Sequence, residues 1–246
     1  MALTPSTINA YSSCKKVLLF AAISTLLFLC VLHYTHPNVF LPKHNKERGT
    51  SLAVTGVTLA ANMVGQILAS LVAPSLINKY PSKWLLLVTS FVLACHMLTF
   101  SVLDYIPTDN GLWYGMVGIV SRFIGGTFGG VTKVICFAAL VSMYPKQVGT
   151  VTSIGEAILN ASLGFAPFLG SVLYSIGGFT WAFLCPGIAM ACTVFPCAMS
   201  PQLTNSNAGT RTHSWKRLLD PLILFPLWHL ASAQVIKLKH YATMLK

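Results

Sequence analysis

Four ionisable residues lie well inside long apolar stretches of this sequence, and they are its first candidates for chemistry. They are His96, Arg122, Lys133 and Glu156. Charged side chains are costly in hydrocarbon, so such residues usually line a solute or proton path, or pair with one another. Glu156 is the one acid among the four and is therefore the candidate for proton coupling. Arg122 is expected to face and organise a polar cavity.

The spacing of these residues suggests partners. Lys133 lies ten residues before Met143, and Glu156 lies eight residues after Val148, with a short turn between the two segments. Antiparallel helices joined in this way place both side chains at a similar depth, about 12–15 Å in at 1.5 Å per residue. We therefore expect a Lys133–Glu156 ion pair. Two roles stay open for it, a working proton site and a purely structural connection between helices.

His96 and several small residues point to packing. A lone histidine on an apolar helix more often makes a hydrogen bond in the core than relays protons. Arg122 and Lys133 are eleven positions apart, which puts them on one helix face at 100° per residue. Small residues beside that face and in the next segment form a predicted helix-packing motif. The motif consists of Gly126, Gly130, Gly164, Pro167 and Gly170.

Six apolar segments must position these residues. The chain has 246 residues, of which 54% are hydrophobic and only 9% charged, and its mean hydropathy is +0.69. Soluble proteins carry about 25% charged residues, so lipid must be the solvent for much of this chain. Each segment is near the length that crosses a bilayer. The segments are 17–32, 51–76, 84–103, 111–143, 148–174 and 179–199.

The basic residues predict an orientation. Net charge is +11, from 16 Lys and Arg against 5 Asp and Glu. Lys15, Lys16, Lys79, Lys83 and Lys146 fall on one side if the segments alternate, which places the N-terminus in the cytoplasm. Their place in short connections argues for lipid head groups as partners and against nucleic acid.

The predicted domain plan has four parts. Residues 1–16 form a cytoplasmic N-terminal segment, and 17–199 form a six-helix transmembrane domain. Residues 200–217 form a cytoplasmic loop. The tail at 218–246 is either a partial seventh helix or a helix lying in the membrane interface, and both alternatives stay open.

No motif in the chain predicts an enzyme, a cofactor or a metal site. The sequence has no nucleophile elbow, no phosphate-binding glycine loop before Lys-Ser or Lys-Thr, and no metal-spaced histidine pair. Its seven cysteines form no Cys-x-x-Cys pair and lie mostly in apolar runs. We interpret them as small apolar side chains.

Two stretches resemble a known family. Arg122-Phe-Ile-Gly-Gly-Thr-Phe-Gly-Gly resembles the helix-four motif of major facilitator superfamily carriers. The run that contains Glu156, Pro167, Gly170 and Gly177-Gly178-Phe179 is similar to the helix-five signature of the drug:proton antiporter branch, and most of all to vesicular amine and polyamine transporters. The resemblance covers about residues 18–203.

The resemblance implies a fold and a function. The family has twelve helices in two pseudo-symmetric halves with the substrate between them, and this chain resembles the N-terminal half. The implied function is transport of a small organic solute, an amine or polyamine in exchange for protons, by alternating access. The implied place is a vesicle or plasma membrane. A homo- or hetero-dimer would complete a twelve-helix carrier.

Departures from the pattern support an alternative function. Three glycines of the helix-five signature are replaced by Ser162, Ala166 and Ser171, and the loop at 73–83 has no acid. Lys133 stands where the family usually has a small neutral residue. Near Glu156, its charge would repel a cationic substrate. The alternative is a truncated, non-transporting membrane scaffold or regulator derived from such a carrier.

Overall fold

The computed structural model describes residues 5–105 and 111–198, and within these ranges the elements are all helices. The predicted loop at 200–217 and the tail at 218–246 lie outside the described residues. The helices are α1 (Pro5–Thr35), α2 (Pro37–Glu47), α3 (Leu52–Lys79), α4 (Ser82–Val102), the short 3-10 helix Leu103–Tyr105, α5 (Gly111–Met143) and α6 (Val148–Ala198). The predicted all-α membrane fold is therefore confirmed.

Five helical stretches of the described chain are long and apolar enough to cross a membrane. The last, α6, has 51 residues. At 1.5 Å per residue it would extend about 76 Å if straight, more than twice the ~30 Å thickness of a bilayer core. It is broken at Gly177 and at Gly178, whose φ of 68° is in the left-handed region that favours glycine. We call residues 148–176 the first arm and residues 179–198 the second arm, and they correspond to the fifth and sixth predicted segments.

The first predicted segment is longer than expected. It was expected to cover residues 17–32 and the next segment to begin at residue 51, which leaves residues 33–50 as a connecting loop. Instead α1 begins at Pro5 and ends at Thr35, and α2 follows after a single residue, His36. Pro37 is compatible with this arrangement because proline is well tolerated at the start of a helix. Most of the expected N-terminal segment, and most of the expected loop, are therefore helical.

α3 and α5 pack closely along their length. A Cβ atom on Gly126 would lie 2.1 Å from the carbonyl oxygen of Asn62, and one on Gly130 would lie 2.6 Å from the Cβ of Ala69. Only glycine permits such an approach of two backbones. Contacts advance in the same direction on both helices, so α3 and α5 are parallel.

The two arms of α6 pack on different helices. Ser162 in the first arm donates a hydrogen bond of 2.7 Å to the carbonyl of Phe28 in α1. Eight residues later, a Cβ on Gly170 would lie 2.7 Å from the carbonyl oxygen of His36, so this arm is parallel to α1. The second arm returns along α4, where a Cβ on Gly187 would lie 3.1 Å from the Cβ of Met97. The break at Gly177-Gly178 thus reverses the chain.

One residue of the predicted packing motif does not pack. A Cβ on Gly164 would meet nothing within 4 Å, and the residue is exposed. Gly164 lies on the face of the first arm opposite Ser162 and Ala166, which are buried against the rest of the bundle. The expectation that Gly164 contacts another helix was therefore wrong for the described residues.

Candidate functional site

Arg122 lies at the centre of the bundle. It projects from α5 and is only 1% exposed. Its Nη1 donates a hydrogen bond of 3.2 Å to the carbonyl oxygen of His33 in α1. Two aromatic rings cover the guanidinium, that of Phe100 with its centroid 4.6 Å from Cζ and that of Phe183 at 5.3 Å. Arg122 was expected to face a polar cavity, and the described residues place aromatic side chains of α4 and of the second arm of α6 over its guanidinium.

The remaining donors of Arg122 have no partner among the described residues. Nε and Nη2 are both buried and make no hydrogen bond. In a guanidinium these two nitrogens form one edge, with two N–H bonds that point the same way. None of the ion pairs of the described chain includes Arg122. Arg122 is therefore a buried cation that forms an ion pair with none of the described carboxylates.

Three histidines surround this arginine. His33 and His36 come from the end of α1 and the residue after it, and His96 comes from α4; all are less than 9% exposed. The rings of His33 and His96 meet at a centroid distance of 5.3 Å. Both His36 and Arg122 contact Phe183, with ring centroids of His36 and Phe183 separated by 5.1 Å. We call Arg122, His33, His36 and His96 the arginine–histidine cluster.

Most ring nitrogens of the cluster lack hydrogen bonds. His36 donates from Nδ1 to the carbonyl of Leu32 at 2.6 Å. Its Nε2 has no partner. Both ring nitrogens of His33 and both ring nitrogens of His96 also lack a hydrogen bond. Backbone carbonyls of Cys30, Ser121 and Ala182 lie nearby but outside hydrogen-bonding geometry. His96 is therefore a packed residue, as expected, but lacks the hydrogen bond that was expected with it.

Glycines of α5 make room for the cluster. A Cβ on Gly125 would lie 2.6 Å from Nε2 of His96 and 2.9 Å from Nε2 of His33. One turn further, a Cβ on Gly129 would lie 3.4 Å from the ring of His33. On the other side of α5, Asn62 donates a hydrogen bond of 3.2 Å to the carbonyl oxygen of Arg122. The cluster is therefore held by α1, α3, α4, α5 and the second arm of α6.

Lys133 and Glu156 do not form the expected ion pair. Both are half-buried, and Lys133 lies within electrostatic range of Cys30 and Glu156, but none of the ion pairs of the described chain joins them. The reason is that the first arm packs mainly on α1, with Phe137 of α5 filling the space beside Gly155. Their spacing predicted that Arg122 and Lys133 share one helix face, and in the structure both have neighbours in α1, His33 and Cys30 respectively.

A second polar cluster occupies the end of the bundle near α2. Asp104 accepts hydrogen bonds from Arg48, and its Oδ1 lies 3.1 Å from Nε2 of His44. Asn45 donates to Thr55 Oγ1 at 2.9 Å and accepts from the hydroxyl of Tyr114 at 3.1 Å. We call these residues the aspartate cluster. Four aromatic rings, Phe40, Phe100, Phe179 and Phe183, lie between it and the arginine–histidine cluster.

Sequence reasoning missed His33, His36 and Asn62. The two histidines were assigned to a loop because the apolar run ends at Leu32. A usable signal was present, since apolar residues continue through Phe40 and Pro37 can begin a helix. Asn62 stands in the middle of an apolar segment, which in membrane helices is typical of an interhelical hydrogen bond. Among the described residues, no group of three or more His, Cys, Asp or Glu side chains could hold a metal ion.

Comparisons with known proteins agree on one family. The model of the Major Facilitator Superfamily matches residues 17–237. A rat protein named MFS-type transporter SLC18B1 is 24% identical over 222 residues, which are 89% of this chain and 48% of the rat protein. The human protein of the same name is 26% identical over 197 residues, 78% of this chain and 42% of its own. No solved structure matches the chain significantly.

The matches also show how much of each relative the chain covers. The chain spans about half the length of the curated relatives it matches. The resemblance seen at Arg122 and along the first arm of α6 is thereby confirmed.

Proposed function

Because the chain belongs to the major facilitator superfamily, a family of membrane transporters, we propose that it works as half of a solute carrier. The proposed mechanism is alternating access, with a second half supplied by another chain, either a copy of this one or a different protein. Membership of the family follows from the match, and transport by this chain is part of the proposal. The solute, the coupling ion and the partner are its other parts.

The observation that carries the proposal is a buried cation at the centre of the helix bundle. Arg122 is 1% exposed and lies between aromatic rings. Ionisable residues at membrane depth are rare and usually serve transport of solutes or protons. An apolar side chain of similar volume at this position would make the folded bundle more stable than a buried cation does. Stability alone therefore does not explain Arg122.

Glu156 is the proposed proton-coupling residue. It is half-buried on the first arm of α6 and lies within electrostatic range of Lys133 without forming an ion pair. An acid that is not held by a close cation is free to exchange its proton. Lys133 lies near Glu156 but does not neutralise it by contact.

The solute we propose is a small organic molecule, an amine or polyamine by the resemblance of the first arm to vesicular carriers. Arg122 and Lys133 would repel such a cation, so its countercharges would come from the other half. We place the protein in a vesicle or plasma membrane with its N-terminus in the cytoplasm. Lys79, Lys83 and Lys146 then face the cytoplasm together.

The test is Glu156→Gln in proteoliposomes. The full chain is reconstituted with an imposed pH gradient, and uptake of labelled spermidine is followed. We expect the variant to lose the part of uptake that depends on the gradient, because a side-chain amide cannot take up and release a proton as a carboxylate does. The matched control is Glu47→Gln, since Glu47 is an exposed acid that faces only Lys43 at 3.9 Å.

The control should keep its response to the gradient and should match the wild type in protein level. Unchanged coupling in the Glu156→Gln chain would show that Glu156 is not the proton site. Uptake that never depends on the gradient, even in the wild type, would contradict proton exchange as a whole.

A second candidate function is a non-transporting scaffold or regulator derived from a carrier. The observation that favours it is Lys133, a half-buried cation within electrostatic range of Glu156, because its charge would repel a cationic substrate. Native electrophoresis combined with the uptake assay separates the two functions. A strictly monomeric chain without flux favours the scaffold, and a dimer with flux favours the carrier.

A further inference from the structure

We propose that the arginine–histidine cluster is a binding site for a small carboxylate anion, enclosed within this half-bundle itself. The free edge of Arg122 would bind the carboxylate, and the surrounding imidazoles would complete its shell. This goes beyond the proposed function, because proton coupling at Glu156 and an amine solute give Arg122 no binding partner, whereas the cluster is here assigned one.

The first argument concerns charge. Three acids lie in the described ranges, Glu47, Asp104 and Glu156. Asp104 faces Arg48 and His44, and Glu47 faces Lys43. The electrostatic partner of Glu156 is Lys133, and no ion pair joins any of the three to Arg122. A buried guanidinium without a counterion is strongly unfavourable, so an anion from outside these residues would stabilise the cluster.

The second argument concerns the shape of the free edge. Nη1 is occupied by the carbonyl of His33, which leaves Nε and Nη2 without partners. These two N–H bonds are parallel and match the two oxygens of a carboxylate, giving a bidentate, charge-assisted pair. A spherical ion such as chloride does not match both bonds in this way. The edge therefore selects a planar oxyanion.

The third argument concerns the imidazoles. His36 uses Nδ1 to donate to Leu32, so in the neutral ring Nε2 is an acceptor, and only a protonated His36 donates from it. Each neutral ring of His33 and His96 has one N–H, and in both rings the nitrogens are buried without partners. The cluster thus has more donors than acceptors, as an anion site requires.

The burial of the cluster decides where the anion comes from. Since Arg122 is 1% exposed and His96 is 6% exposed within this chain alone, an acidic side chain of another subunit has no access to the free edge. Because the free edge is enclosed among the described residues, its ligand must be small, and a free carboxylate of a few heavy atoms meets this requirement. The rings of Phe100 and Phe183 over the guanidinium exclude water and strengthen the charged contact.

The experiment measures binding of ¹⁴C-acetate to the full chain, purified in detergent and kept in a chloride-free buffer, by equilibrium dialysis. We expect saturable binding to the wild type. Arg122→Lys keeps the charge but loses the parallel N–H pair, so we expect binding to weaken about tenfold. The matched control is Arg48→Lys, because Arg48 already faces Asp104. This control should bind acetate as the wild type does.

Three results would overturn the proposal. They are the absence of saturable acetate binding in a monodisperse wild-type chain, equal binding by Arg122→Lys, and equal competition by chloride and by formate. If Arg122→Lys does not fold, acetate binding is measured on His96→Phe instead. This variant keeps a ring of similar size and removes the two ring nitrogens. We expect a loss of about threefold or more from it, and unchanged binding would count against the site.

The same assay separates this proposal from proton coupling. Glu156 lies on the first arm of α6, outside the cluster, so Glu156→Gln should bind acetate as the wild type does. A chain that loses gradient-dependent uptake but keeps acetate binding supports both proposals. A chain that binds no acetate but keeps proton-coupled uptake contradicts only the anion site.

Discussion

The two polar clusters of this bundle differ in whether their charged side chains have partners of opposite charge. In the aspartate cluster, Asp104 meets Arg48 and His44, and the side chains of Asp104 and Arg48 are 30% and 17% exposed. In the arginine–histidine cluster, Arg122 is 1% exposed and meets no acid of the described chain. The first cluster lies where water helps to solvate its charges, and its carboxylate has cationic or imidazole partners. The second is the more deeply buried and is unpaired.

This difference indicates which cluster serves stability. A paired, partly exposed cluster holds the ends of α2, α4 and α5 together. An unpaired buried cation contributes little to the fold, so its presence points to a ligand or to transport. Both clusters depend on α5, which carries Tyr114 in one and Arg122 in the other. Moving α5 should therefore disturb both, and changing single charges should disturb one.

The largest effect is expected from Gly126→Ala. The new Cβ would lie 2.1 Å from the carbonyl oxygen of Asn62, which is a rigid backbone atom, so α5 must move away from α3. We expect a loss of about 3 kcal/mol in the free energy of unfolding, at the upper end for overpacking. The measurement is unfolding in mixed detergent micelles. The control, Gly164→Ala, meets nothing and should leave stability unchanged or raise it by up to about 1 kcal/mol. Equal losses in both variants would contradict the packing.

A smaller loss is expected from Asp104→Asn. The variant keeps the shape of the side chain but leaves Arg48 and His44 without an opposite charge. We expect a loss of about 2 kcal/mol, below the 3–5 kcal/mol typical of fully buried pairs because these groups are partly exposed. Glu47→Gln is the control and should change stability by less than about 0.5 kcal/mol, since its pair is exposed. The same unfolding assay applies, and a loss no larger than that of the control would mean that the aspartate cluster is not a structural contact.

The smallest effect, with the opposite sign, is expected from Arg122→Met. Methionine fills a similar volume and removes a buried charge that has no counterion. Without added anion, we expect the free energy of unfolding to stay level or to rise by about 1 kcal/mol. A loss beyond about 1 kcal/mol would show that Arg122 stabilises the fold through His33 and the aromatic rings, and the contrast between the clusters would then fail.

The sequence predicted the helices better than their contacts. α5 begins at Gly111 and ends at Met143, as the apolar segment indicated, and the pair Gly177-Gly178 marked the reversal inside α6. Both follow from local properties, hydrophobic length and glycine at a turn. The helix α2 was missed because its mean hydropathy is low, although Phe40 and Leu41 are buried.

The residues of the site were predicted only in part, because local properties of the sequence do not show which helices pack together. Arg122 stood out as a charge in an apolar segment, and its burial did not depend on knowing its neighbours. The Lys133–Glu156 pair was derived from depth alone, which ignores α1 beside both helices. The neighbours of Arg122 come from α1, α4 and α6, so their identity depends on which helices pack together, and one sequence does not contain that information.

The contact between α3 and α5 has a mechanical consequence. Two backbones in contact through Gly126 and Gly130 have little freedom to slide, because side chains on either helix would collide with the partner's backbone. The two helices therefore behave as one rigid unit, which we call the strut. Any tilting of the strut during a transport cycle would carry Asn62, Arg122 and Lys133 together, while His33 and His96 stay with α1 and α4. The hydrogen bond from Arg122 to the carbonyl of His33 would then connect the α3–α5 pair to α1 while the two move relative to each other.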